Sequence, residues 1–199
     1  MPGRFQLGKP WTVRSQFSLN YKHVFSMEFL YKRVHEWLIE EGYTTDGDDK
    51  WIEKLYLERV AGNDMKQIWI WWRMDKTPVQ GNNFFKFILN VDFHALGLSK
   101  EDIVVDGTKI STNKGEIEVF ITAKMILDPD KEWDKNFFLK SKMLQDFYLN
   151  RIYKERIEQV EDELAKDCAR LLSAVKQYFQ LESWMPEYSG KPFHPAKGE

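Results

Sequence analysis

Residues 68–74 read Ile-Trp-Ile-Trp-Trp-Arg-Met, and this run constrains the fold more than any other part of the chain. A stretch so rich in β-branched and aromatic side chains, without Gly or Pro, reads as a β-strand. Successive strand side chains point to opposite faces. Ile68, Ile70, Trp72 and Met74 therefore share one face, and Trp69, Trp71 and Arg73 the other. A strand with a single dry face needs only the first set. The second set requires a ligand, a partner or a covering element.

The next apolar run fixes which set faces the core. Phe85, Phe87, Leu89, Val91, Phe93 and Ala95 alternate with Lys86, Ile88, Asn90, Asp92 and His94. If the two strands form a hairpin, both apolar sets must share a face. A register with Trp72 opposite Leu89 and Ile70 opposite Val91 achieves this. Trp71 then faces Asn90, and Trp69 faces Asp92, with Ile88 and His94 nearby. A slip by one residue would press Lys86, Asn90 and Asp92 into the core, where desolvation opposes it.

Other elements follow from periodicity. Val13, Ser15, Phe17, Leu19 and Tyr21 alternate with polar residues as in a half-buried strand. Met27, Leu30, Tyr31, Val34, Trp37 and Leu38 recur at helical spacing, with Ser26 as cap and Gly42 as stop. Residues 51–60 read as a strand, and the turn at 61–64 leads into the tryptophan strand. A short strand is expected over 104–110, with Asp106-Gly107 as its bend and a turn at Asn113-Lys114-Gly115. Ile117, Val119, Ile121, Ala123, Met125 and Leu127 form a last alternating strand, ended by Asp128-Pro129-Asp130. From about residue 134 to 181 the pattern is helical, with a stripe from Tyr153 through Ile157, Val160, Leu164, Cys168, Leu171 and Val175 to Tyr178. Unbroken, that helix would span about 70 Å at 1.5 Å per residue. The length predicts a break near Asn150 or a projecting end.

These elements make an α+β chain: a curved antiparallel β-sheet of about six strands, with one N-terminal helix and a long C-terminal helix packed on it. A single domain over residues 1–185 and an extended tail over 186–199 are expected. Of the 199 residues, 43% are hydrophobic and 15% aromatic, enough for a thick core or a cavity. The net charge of −2, well mixed in sign, provides no basic footprint for nucleic acid. No window approaches the roughly 18 apolar residues of a membrane span. Cys168 is the single cysteine, which rules out an intrachain disulfide and fits a reducing, cytoplasmic setting.

The order of strand, helix, strand meander and long C-terminal helix, from Val13 to about Leu181, resembles the helix-grip arrangement of START-like and Bet v 1-like proteins. The resemblance is one of topology and rests on no residue motif. It implies a cavity between the sheet and the last helix that holds an apolar small molecule. Trp72, Phe85, Phe87, Leu89, Phe93, Ile121 and Met125 would line it from the sheet, and Tyr153 and Ile157 from the helix. Non-enzymatic ligand binding is thus the leading expectation. The first alternative is a structural or interaction protein that assembles through the long helix and an aromatic sheet face of Trp69, Trp71, Ile88 and Phe120, with a second copy or another protein as partner. The second is a cyclase- or hydrolase-like enzyme on the same scaffold.

Motifs for chemistry are sparse. Asp92 and His94 are the one close carboxylate–imidazole pair, and no nucleophile or oxyanion loop accompanies them. His23, His35 and His194 lack metal-ligand spacing. Asp46, Asp48 and Asp49 suit a turn. Asp128, Asp130, Glu132 and Asp134 suit the start of a helix, and neither cluster has the calcium-loop spacing. No phosphate-binding glycine pattern occurs. Cys168 falls in the apolar stripe as a small core residue. No catalytic residue, metal or cofactor is assigned.

Overall fold

The computed structural model describes residues 5–44, 52–78, 83–105, 108–135 and 141–184. Its elements are β1 (Trp11–Phe25), α1 (Met27–Glu40), β2 (Glu53–Val60), β3 (Lys66–Lys76), β4 (Phe85–Val105), β5 (Thr108–Leu127), α2 (Glu132–Lys135), α3 (Lys142–Phe147) and α4 (Lys154–Trp184). The strands form one antiparallel sheet in the order β1-β5-β4-β3-β2. The architecture is α+β with a long C-terminal helix. Among the described residues no helix is long and apolar enough to cross a membrane. Residues 106–107, the acidic turn at 46–49, His194 and the tail 186–199 lie outside the described residues.

Among the described residues the strand order names five long strands, because the short strand expected at 104–110 is not a separate element. β4 runs on to Val105 and β5 starts at Thr108, so its two halves belong to the long strands. The expected turn at Asn113-Lys114-Gly115 is likewise absent, and those residues lie within β5. Gly97 explains the continuity. Its φ of +59° places an irregular residue in mid-strand. The buried set shifts there from odd positions, ending at Ala95, to Leu98. Gly115 lies against this site, where a Cβ would sit 2.9 Å from the Leu96 carbonyl oxygen. Glycine at 115 reflects a close backbone approach, not a turn.

The chain divides into two compact units. The first comprises Met1–Phe17, Arg73–Asn90 and Ile121–Ala169. Phe85, Phe87 and Leu89 of β4 are buried, as are Ile121, Ala123, Met125 and Leu127 of β5 and Ile157, Val160, Leu164 and Cys168 of α4. Phe84 stacks on Trp133 at 4.8 Å, and Phe85 stacks on Tyr153 at 6.0 Å. The N-terminal arm is tied down: Gly8 N–H donates to the Leu127 carbonyl at 2.8 Å, and Phe5 N–H donates to Asn150 Oδ1 at 3.2 Å. Asp128, with φ +49°, accepts from the amides of Glu132 (2.7 Å) and Trp133 (3.0 Å), so it caps α2. The helical region breaks where length demanded. A π-helical turn, Tyr148–Ile152, separates α3 from α4, and Tyr153 N–H donates to the Tyr148 carbonyl at 2.9 Å.

The second unit comprises Ser18–Trp72, Val91–Phe120 and Arg170–Glu199. Ser26 caps α1 by accepting from Phe29 N–H at 3.3 Å, and Gly42, with φ +72°, ends it. Met27, Leu30, Val34 and Leu38 form the buried stripe of α1. Tyr31 and His35 on the same helix meet the buried Trp72 ring edge-on, at 4.7 and 6.1 Å. From α4, Phe179 stacks on Tyr21 of β1 at 4.4 Å.

Candidate functional site

Within the second unit, α1, β2, β3 and the far part of β4 enclose a cleft of about 860 Å³. Strand register builds one wall. β2 runs antiparallel to β3, with Tyr56 opposite Ile70, Glu58 opposite Ile68 and Val60 opposite Lys66. The even-numbered residues of β2 thus join the core-facing side chains of β3. Met27, Ile68, Ile70 and Leu98 are buried apolar lining, and Leu98 reaches this position through the shift at Gly97. Glu28, Tyr31 and Lys32 contribute from the first turns of α1, and Ser99 and Lys100 from β4.

Polar groups in the cleft are paired with one another. Lys66 Nζ lies 2.6 Å from Glu58 Oε1, and Lys32 pairs with Glu28 one helical turn earlier. The Lys66 ammonium holds the Glu58 carboxyl below its usual value, and Glu58 in turn raises Lys66. Tyr56 donates its hydroxyl to Glu58 at 3.3 Å. Burial, then the Glu58 charge, raises its phenol. Tyr31 donates to Glu53 at 3.0 Å. Burial first and Glu53 second push this phenol up to about 12. Asn113 turns its Oδ1 to Met27 N–H at 3.2 Å. The result is an apolar floor under a rim of hydroxyls and ion pairs, a pattern suited to an amphipathic guest.

The residues expected to line a cavity divide between the units. Trp72 and Phe93 are buried and in edge contact at 5.2 Å in the second unit. Phe85, Phe87, Leu89, Ile121, Met125 and Ile157 are buried in the first unit, where the half-buried Tyr153 stacks on Phe85. Of all these, none lines the cleft against α1.

The aromatic sheet face is open. Trp71 is 44% exposed and Phe120 42%, while Trp69 and Ile88 are half-buried. Trp69 is covered from one side by His94, whose ring stacks on it at 5.1 Å. His94 Nδ1 lies 3.3 Å from Glu118 Oε2, and its Nε2 is buried without a hydrogen-bond partner. The carboxylate that meets this imidazole is thus Glu118, on the neighbouring strand β5. Among the described residues no three His, Cys, Asp or Glu side chains are grouped to hold a metal ion.

Sequence reasoning missed two features. Glu118 became visible only through the pairing of β4 with β5, although Glu116, Glu118 and Phe120 mark the outer face of β5 by simple alternation. The cleft has walls from four separated segments, and its one local signal was Tyr31 on the buried side of α1. Comparison with known proteins adds no constraint: no family model, no characterised protein and no solved structure matches the chain.

Proposed function

We propose that this chain is a non-enzymatic binding protein for a small amphipathic molecule, with the cleft between α1 and strands β2 to β4 as its site. The observation that carries the reading is the cleft itself, about 860 Å³ with a buried apolar floor and a polar rim. Ligand pockets commonly fall between about 300 and 1,000 Å³ and combine these two kinds of lining. The ligand's apolar body would lie on Ile68, Ile70 and Leu98. Its polar end would meet Tyr31, Tyr56 and the Lys66–Glu58 pair. The helix-grip resemblance supports the same class of function, with the ligand lodged between the sheet and α4 instead of beneath α1. Native mass spectrometry of the purified protein, before and after mild organic extraction, tests the proposal. A co-purifying amphiphile that is lost in Val60→Trp and Ser99→Trp variants, which fill the cleft, supports this site. A ligand retained by both variants assigns binding elsewhere, and a chain that takes up no amphiphile from a broad library ends the proposal.

A second reading has its own observation, the exposed Trp71 and Phe120 on a sheet face. It makes the chain an interaction protein that uses this face. Light scattering and pull-down with wild type and a Trp69→Ala/Trp71→Ala variant separate the two readings, because only the interaction protein loses a partner when the indoles are removed.

A further inference from the structure

We propose that α3 and the π-helical turn after it form a docking surface for a membrane that carries anionic lipid. The two elements cover Lys142–Phe147 and Tyr148–Ile152, within the first unit. Met143 is 84% exposed, the most of any large apolar side chain among the described residues, and Leu144, Phe147 and Ile152 are 49–60% exposed. Met143 and Phe147 are four residues apart and Leu144 and Phe147 three, so these three share one face of α3. Phe147 makes no ring contact among the described residues. The inner side of the segment is anchored. Leu149 is buried, Tyr148 meets Trp133 edge-on at 5.2 Å, and Asn150 accepts from Phe5 N–H at 3.2 Å while donating to the Asp146 carbonyl at 3.1 Å. These contacts hold the apolar face outward.

Charge selects the occupant. Residues 142–156 carry four cations, Lys142, Arg151, Lys154 and Arg156, and two acids, Asp146 and Glu155, a balance of +2 in a chain whose net charge is −2. Lys142 and Arg151 are exposed and form no ion pair among the described residues. They flank the apolar face, one directly before Met143 and the other directly before Ile152. Lys154 lies 3.9 Å from Glu158, an exposed pair that water and salt readily open. Asp146 is engaged by Asn150 Nδ2 at 3.0 Å, and Glu155 complements the first turn of α4. Apolar side chains between unpaired cations suit a lipid interface: the former enter the acyl boundary, and the latter keep their charges among phosphate headgroups. Exposure argues the same way. Protein partners are usually met by anchors seated in packed pockets. Here the side chains project singly, and a fluid lipid layer accepts them without a matching pocket. Six and five residues are too few to span a bilayer, so the segment would lie in the plane of the interface.

Co-sedimentation of the full chain with vesicles of phosphatidylcholine mixed with phosphatidylserine, and of phosphatidylcholine alone, tests this. Binding is expected on the mixed vesicles, weakening with added salt, and far less on phosphatidylcholine alone. Lys142→Gln and Arg151→Gln should each weaken it about fivefold. Met143→Ser/Phe147→Ser should weaken it about tenfold or more. Trp71→Ala, on the sheet face, should bind like wild type. The substituted side chains are exposed, and urea unfolding verifies that each variant folds. A second measurement leaves the rest of the face intact. A polarity-sensitive fluorophore on Met143→Cys should shift to the blue on the mixed vesicles; Cys168 is buried and does not compete for the label. A chain that binds neither kind of vesicle overturns the proposal. So does binding that the serine pair leaves unchanged with no shift of the label, which would mean a charge contact open to any polyanion. Self-association without lipid that the serine pair abolishes also overturns it, and assigns the face to a second copy.

Discussion

Tyr178 and Ser26 exchange two hydrogen bonds across 152 residues of chain: the phenol accepts from the Ser26 N–H at 3.2 Å and donates to the Ser26 carbonyl at 2.7 Å. The N-cap of α1 is thereby anchored to α4. Both groups are buried, so the bonds are shielded from water.

Tyr178→Phe leaves the shape and removes the hydroxyl. The Ser26 carbonyl keeps a bond from Leu30 N–H at 3.0 Å, whereas its amide loses the phenol as acceptor. The loss of one buried partner is expected to cost about 1–3 kcal/mol. Urea unfolding checks the value, and a variant as stable as wild type would show that water replaces the phenol.

Alkaline pH should weaken the fold through Tyr31. Its phenol is protonated in both folded and unfolded chains well below pH 10, so it adds no pH dependence there. Folding raises it from 10.0 to about 12. Between these values the unfolded chain releases its proton first, and stability falls as pH rises. Tyr56, raised in the same direction, adds to the slope. Tyr31→Phe is expected to flatten stability against pH between about 10 and about 12. It should also remove the late phase from the tyrosinate absorbance titration. An unchanged titration would mean that another phenol carries the late phase.

The two glycines at the strand irregularity should fail differently. Gly115→Ala puts a methyl 2.9 Å from both the Leu96 carbonyl oxygen and Leu98 Cδ2, an overpacking expected to cost about 1–3 kcal/mol. Gly97→Ala meets no atom within 4 Å but must hold φ +59°, at about 1–2 kcal/mol. Gly62→Ala, which has neither obstacle, is expected to be near neutral. Thermal melts of the three variants give the ranking, and equal effects at all three would contradict the steric account.

Cys168 should be silent toward thiol reagents in the folded protein. Burial, then the neighbouring Asp167, pushes its thiol up to about 12, so almost no thiolate exists at neutral pH. A disulfide reagent should modify it only after unfolding in urea. Rapid modification under native conditions would imply frequent local opening of α4.

How far the sequence was legible depends on how local the signal was. Alternation from Phe85 to Ala95 and the α1 stripe are decided by neighbours a few residues away, and both elements appear as read. Gly115 misled because a glycine in a strand pattern looks the same whether it makes a turn or admits a close backbone. Only the partner strand distinguishes the two. The helix break at Tyr148–Ile152 has no Gly or Pro, and length alone pointed to it. The candidate site was the least legible part. Its walls join residues as distant as Tyr31, Ile70 and Leu98, and His94 meets Glu118 through pairing that no local pattern contains.

Trp71 and Trp72 share a peptide bond, yet one indole is 44% exposed and the other fully buried. A variant that keeps only these two of the chain's eight tryptophans therefore carries two spectroscopic reporters at one address. Trp71 will emit to the red and be open to iodide, while Trp72, under Tyr31, will emit to the blue and be closed to it. Any molecule or second chain that settles on one side of the sheet will change one signal and leave the other. Which side of the sheet is occupied can thus be read from the light of that two-tryptophan variant, with no label attached.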